Sequence, residues 1–207
     1  MLALSQNNSI NQFVTSGLFM ALPVKNDTHQ YGLGSIAIHW GMALIIIGMY
    51  PLGLYIDTLD YYDPAYRTVP QWHKSIGLIL MSLLIVRMLW QTINKKPQAL
   101  EQPKLLLLIT KLAHSGLYLL LLIALVSGYM ISTADGRAIA VFNWFEVPAL
   151  PAVTENQEDI AGEIHYLSTT TLIILAGLHA LAALKHHYIN KDNTLKRMLG
   201  MHQETNS

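Results

Sequence analysis

Residues 164–179, IHYLSTTTLIILAGLH, set a histidine at each end of an apolar run, His165 and His179. A helix turns about 100° and rises about 1.5 Å per residue. Fourteen residues therefore return both rings to one face, about 21 Å apart along the axis. Two further histidines lie in apolar segments, His39 in IAIHWGMALIII and His73 in QWHKSIGLILMS. An ionisable ring inside a hydrophobic span is costly, so it marks a functional position and calls for a partner. Zinc takes four ligands, and no cysteine or carboxylate stands at the right depth to complete such a site. A proton relay would use Asp or Glu inside the apolar runs, and they hold none away from their ends. Haem iron needs only two axial ligands, one imidazole from each of two facing helices. Two haems b stacked across a membrane fit the count, and filled axial positions favour electron transfer over oxygen binding.

The elements that must position these rings are apolar throughout. The chain of 207 residues is 52% hydrophobic and 13% charged, with zero formal net charge and no cysteine. Soluble domains carry about 25% charged residues, so the composition points to a membrane. The lack of cysteine excludes disulfides, iron–sulfur clusters, thiolate-ligated haem and covalent c-type attachment. The neutral balance, with no basic arm, argues against a nucleic-acid partner. Apolar runs predict four membrane-spanning helices at about 36–56, 71–92, 105–131 and 164–185, each long enough to cross roughly 30 Å of hydrocarbon. Pro51 is expected to kink the first. Residues 1–32 read as a polar tail or short interfacial segment, 33–199 as the membrane domain and 200–207 as a C-terminal tail. Residues 13–24 are apolar but no positive charge precedes them, so a cleavable secretory signal is not expected.

Lys and Arg number ten in the segments before span one, between spans two and three and after span four, against three in the other connections. The fold expected is thus an all-α membrane protein, a four-transmembrane-helix bundle with both termini cytoplasmic. That orientation pairs His39 with His179 near the inner face and His73 with His165 near the outer face. Arg87 follows His73 by fourteen residues, which places it at the inner level as a partner for a haem propionate or a quinone. Lys74 and Arg137 stand at the outer level, where they serve propionates or draw an anion. His114, His186 and His187 lie where a quinone headgroup meets the inner haem; His29 and His202 fall in the tails. Gly41, Gly77, Gly128 and Gly177 leave room for macrocycles or for close helix packing.

IHW in span one, HKSIG and VR in span two, H-x-x-LY in span three and GLHALAALKHHYINKDNTLKRM at the end resemble the bacterial cytochrome b561 family over about residues 33–199. The closing stretch looks especially like its superoxide-oxidising members. The resemblance implies an inner-membrane, multi-pass protein with two haems b. It further implies oxidation of superoxide to dioxygen at the periplasmic side, with electrons passing to ubiquinone. His39, His73, His165 and His179 match the family's axial positions, and Arg87, Arg137 and His186 fall at positions similar to its polar ones. Nine acidic residues crowd the outer connections. With the aromatic stretch Phe142–Phe145 they suit a second function, a cytochrome b subunit docking a separate, basic periplasmic redox partner. A haem-free, histidine-lined transporter is the third.

Overall fold

The computed structural model describes residues 23–98 and 102–201. Residues 1–22 of the expected N-terminal tail lie outside that range, as does His202. Four long helices form: α1 (Leu33–Ile56), α2 (Thr68–Ile93), α3 (Lys104–Ser132) and α4 (Gln157–Tyr188). Each is long and apolar enough to cross a membrane. In hydrocarbon the backbone must satisfy its own hydrogen bonds, and a helix does so within the segment.

α4 starts seven residues before the expected position. Glu158 and Asp159 occupy its first turn and Lys185, His186 and His187 its last. Both sets complement the helix dipole and extend the helix beyond its apolar stretch. Pro51 sits inside α1, which continues to Ile56. A short helix, α5 (Thr194–Met198), follows α4.

Sequential helices neighbour one another and α4 returns to α1, closing an up-down bundle; α3 and α4 pack most intimately and α1 and α4 least. The looser seam carries a polar tie, with Tyr50 Oη 3.2 Å from Thr170 Oγ1. The buried apolar core runs between the two ends: Met42 on α1, Leu80 and Leu84 on α2, Leu121 and Leu125 on α3 and Leu172 on α4. Leu80 follows His73 by seven residues, and Leu172 lies seven from both His165 and His179. Seven residues are nearly two turns, so Leu80 and Leu172 stand between two histidine levels.

The connection from α3 to α4 contains a hairpin that the all-α expectation did not include. β1 (Ile139–Val141) pairs antiparallel with β2 (Phe145–Val147), Val141 opposite Phe145. Phe142 and Asn143 turn the chain at φ of 46° and 60°. Ser75 of α2, fully buried, anchors this hairpin. Its Oγ donates to the Gln71 carbonyl at 2.8 Å and accepts the Phe142 N–H at 3.1 Å, while Gln71 Nε2 donates to the Ala140 carbonyl at 3.2 Å.

At the opposite end the described parts of both chain ends meet. Asn26 Oδ1 accepts from Gly32 N–H at 2.9 Å and Ser35 Oγ at 2.7 Å, and Asn26 Nδ2 donates to the Lys95 carbonyl at 3.0 Å. Trp90 Nε1 donates to Ser35 Oγ at 3.0 Å. Trp40 Nε1 reaches the Met198 carbonyl of α5 at 2.8 Å.

This mesh requires Gly34, because a Cβ there would lie 2.6 Å from Trp90 Cζ2 and 3.1 Å from the Val24 carbonyl oxygen. Gly34→Ala is expected to push the Trp90 indole off Ser35 and to cost about 1–3 kcal/mol. Thermal unfolding in detergent checks this as a lowered Tm, with Gly48→Ala, where a Cβ meets nothing within 4 Å, as the neutral comparison.

Candidate functional site

At the hairpin end, α2 and α4 bring His73 and His165 together, ring centroids 6.2 Å apart and planes at 72°. His165 is held from α3. Its Nδ1 lies 2.8 Å from the Ala124 carbonyl and 3.3 Å from Ser127 Oγ. The carbonyl can only accept, so Nδ1 carries the proton and Nε2 presents a lone pair. This is how protein metal sites orient an imidazole ligand. Gly128 makes that placement possible: a Cβ would sit 3.0 Å from His165 Cε1 and 3.2 Å from Nδ1. Its role is to admit the imidazole ring. On the facing side His73 Nδ1 is buried with no partner among the described residues, and a Cβ at Gly53 would lie 3.4 Å from His73 Cε1.

The 6.2 Å between the ring centroids leaves space for a metal centre that the two imidazoles would hold between them. Among the described residues no three His, Cys, Asp or Glu side chains converge to hold a metal ion.

Lys74, Asp135 and Arg137 gather nearby. Arg137 Nε donates to Asp135 at 2.6 Å, and the Arg137 backbone N–H to the same carboxylate at 3.0 Å. These bonds, with the charges of Arg137 and Lys74, hold the Asp135 carboxyl below its usual range. In turn Asp135 pushes the Arg137 guanidinium up. Arg137 is thus committed to an exposed ion pair, and Lys74 is the cation of the group without a bonded partner among the described residues.

At the terminal end the rings are arranged differently. His179 of α4 packs edge-to-face on His114 of α3, centroids 5.2 Å apart. His39 of α1 accepts through Nδ1 from Arg87 Nη2 at 3.2 Å. Both His114 and His179 lie within electrostatic reach of His39. Arg87 also donates through Nε to Tyr118 Oη at 2.6 Å, and Tyr118 receives a second bond from Gln91 Nε2. A neutral His39 that accepts at Nδ1 keeps its proton on Nε2. Gly41, two residues from His39, and Gly177, two before His179, face open space; Gly77 has only Met49 Cε near, at 3.9 Å. His186 stands a further seven residues along α4, bonded to Asp192. His187 Nδ1 is buried without a partner among the described residues, and His29 is exposed in the N-terminal segment.

Sequence reasoning passed over Ser127, Tyr118, Asp135 and Asp192. Tyr118 had a signal, since it follows His114 by four residues and shares its helix face. Ser127 and the Ala124 carbonyl had none, because a backbone acceptor has no side-chain identity.

Three comparisons bear on this arrangement. The family described as prokaryotic cytochrome b561 matches residues 30–201. The chain is 47% identical over 176 residues to cytochrome b561 homolog 2 of Escherichia coli strain K12, covering 84% of this chain and 94% of that protein. It is 30% identical over 180 residues to the probable superoxide oxidase CybB of Yersinia pestis, covering 82% and 96%. The match spans all four helices and both histidine levels, so the chain belongs to the prokaryotic cytochrome b561 family of membrane haem b electron-transfer proteins.

Proposed function

We propose that this protein is a di-haem b cytochrome of the bacterial inner membrane that oxidises superoxide to dioxygen at its hairpin end and delivers the electrons to ubiquinone at its terminal end. The observation carrying the reading is the pair of imidazole levels with buried leucines between them. His73 and His165 hold one haem and His39 and His179 the other. A haem between two imidazoles stores and passes single electrons without an open coordination position. The excess of Lys and Arg at the terminal end supports a cytoplasmic placement for it, which puts the hairpin end in the periplasm.

The chain's own residues have distinct tasks. Ala124 and Ser127 fix the His165 tautomer. Arg87, steered by Tyr118 and Gln91, neutralises a haem propionate or steadies a quinone oxygen. His114, exposed beside His179, and His186 line the approach for the quinone. Lys74 draws superoxide toward the His73 edge, and Arg137 adds less because Asp135 offsets it. The superoxide step takes its support from those cations and from the printed name of the 30% identical relative.

A second reading, an electron-transfer subunit for a separate periplasmic partner, is favoured by the exposed aromatic rim of the hairpin. Trp144 is 77% exposed and Phe145 56%; Trp72 of α2 packs edge-on against Phe142, which lies tilted against Trp144.

The purified protein, reduced with dithionite, is expected to show two b-type haems per chain. His165→Ala and His179→Ala should each lose one, and retention of both in either variant overturns the ligand assignment. Gly128→Val should lose the same haem as His165→Ala, since the added carbons displace the ring from Ala124. In quinone-containing liposomes exposed to a superoxide generator, the protein alone should consume superoxide in a quinone-dependent way; no consumption without a partner favours the second reading. Asp135→Asn should raise the superoxide rate about threefold at low salt and Lys74→Glu lower it comparably. Both effects should fade at high ionic strength, as steering by exposed charges does.

A further inference from the structure

Beyond Tyr188 the chain turns sharply and comes back against the last turn of α4. Asn190 N–H donates to the Lys185 carbonyl at 3.1 Å, and Asp192 N–H to the His186 carbonyl at 3.0 Å. Lys191 between them takes the left-handed conformation, φ 55°. The turn delivers the Asp192 carboxylate to the imidazole it has just passed. Asp192 Oδ2 lies 2.5 Å from His186 Nδ1, and the two side chains are only 23% and 12% exposed. Asn190 Nδ2 approaches the same nitrogen at 3.3 Å. The other carboxylate oxygen, Oδ1, accepts the Thr194 N–H at 2.9 Å and starts α5.

A carboxylate is an acceptor only, so this contact places the Nδ1 proton of His186 toward Asp192 and leaves Nε2 as the atom that exchanges protons. Burial works to neutralise Asp192, but the bonds from Thr194 and His186 outweigh it and hold the carboxyl below its usual range. Among the described residues the charged groups on the neighbouring elements at this end are otherwise basic. α4 contributes Lys185 and His187, the turn Lys191, and α5 Lys196 and Arg197. α3, packed along α4, contributes Lys111 and His114. Asp192 is the carboxylate that these elements set against His186. Seven residues separate His186 from His179, about 700° of turn and about 10 Å of rise. His186 therefore shares the face of His179 and stands between that level and the solvent.

A quinone receiving electrons at this end needs protons there too. Two superoxide anions give two electrons and two dioxygen molecules and release no proton. Each quinone takes up two electrons and two protons to become a quinol, so both protons come from the protein or the adjoining water. We propose that Asp192 is a positioning residue that holds His186 with Nε2 directed to a quinone oxygen, making His186 the proton donor in quinone reduction. The imidazole passes its Nε2 proton to the quinone and recovers one from bulk water. This inference rests on the quinone acceptor of the proposed function.

The test uses the full chain with haems bound, reduced in advance and mixed with a short-chain ubiquinone, the haem reoxidation being followed by stopped flow across neutral to alkaline pH. Asp192→Asn keeps the Oδ1 acceptor for Thr194, so haem content and reduced spectrum should match the unmodified protein. Its reoxidation should be at least about tenfold slower at alkaline pH. Asp192→Glu should restore most of the rate, and His186→Gln should be slow at every pH. An Asp192→Asn variant with full haem content and the unmodified rate and profile overturns the proposal. If the unmodified protein is not reoxidised by the quinone at all, the quinone reading itself falls, and this inference with it.

Discussion

A polar atom in hydrocarbon must find its partner within the protein, and this constraint organises the whole molecule. The backbone meets it by forming four helices. Buried hydroxyls meet it by bonding back to their own helix or across a seam, as Ser127 does to the Ile123 and Ala124 carbonyls and Tyr50 to Thr170. The histidines meet it in pairs. At the hairpin end the rings of His73 and His165 face each other, His165 tethered at Nδ1; at the terminal end His179 packs on His114 and His39 accepts from Arg87. Among the described residues His73 Nδ1, His187 Nδ1 and Arg197 Nε are buried without a partner, and of these His73 lies within a membrane-spanning apolar stretch.

The two ends answer the constraint differently, and that asymmetry gives the bundle a direction. At the hairpin end His165 is locked by a backbone carbonyl and faces His73. At the terminal end His39 is engaged by Arg87 and His179 by His114, so imidazoles and a cation share one polar cluster. Between the ends, Leu80, Leu84, Leu121, Leu125 and Leu172 form the buried apolar core, with Leu172 seven residues from either histidine of α4.

Charge is arranged just as unevenly. The cations of the terminal end are woven into a mesh of backbone carbonyls and aromatic rings, as with Arg197 bonding the Gln98 carbonyl and covering Tyr31. At the hairpin end Asp135 and Arg137 form an exposed pair beside Lys74. Exposed pairs of this kind contribute little to stability, but they set how a small anion sees the surface. The hairpin itself is anchored by buried Ser75 and Val141 and leaves its aromatic rim outward.

The amino-acid sequence by itself determined the number of spans, the helical architecture and the two histidine levels. Hydrophobic length and helical periodicity are local properties, and a fourteen-residue gap between histidines keeps its meaning in any apolar helix. Helix ends were less legible, since α4 is extended by acidic and basic turns beyond the apolar stretch. Tertiary structure alone decided what each ring touches. The Ala124 carbonyl that orients His165 has no side-chain signature, and Gly128 acquires its role only because α4 approaches α3 there. The turn at Lys191 sets Asp192 on His186 through a backbone conformation that composition does not announce. Arg87 was visible as a cation at the right depth, but its bond to His39 comes from another helix. Contacts between elements depend on how the helices meet, and one chain read in order holds no record of that meeting.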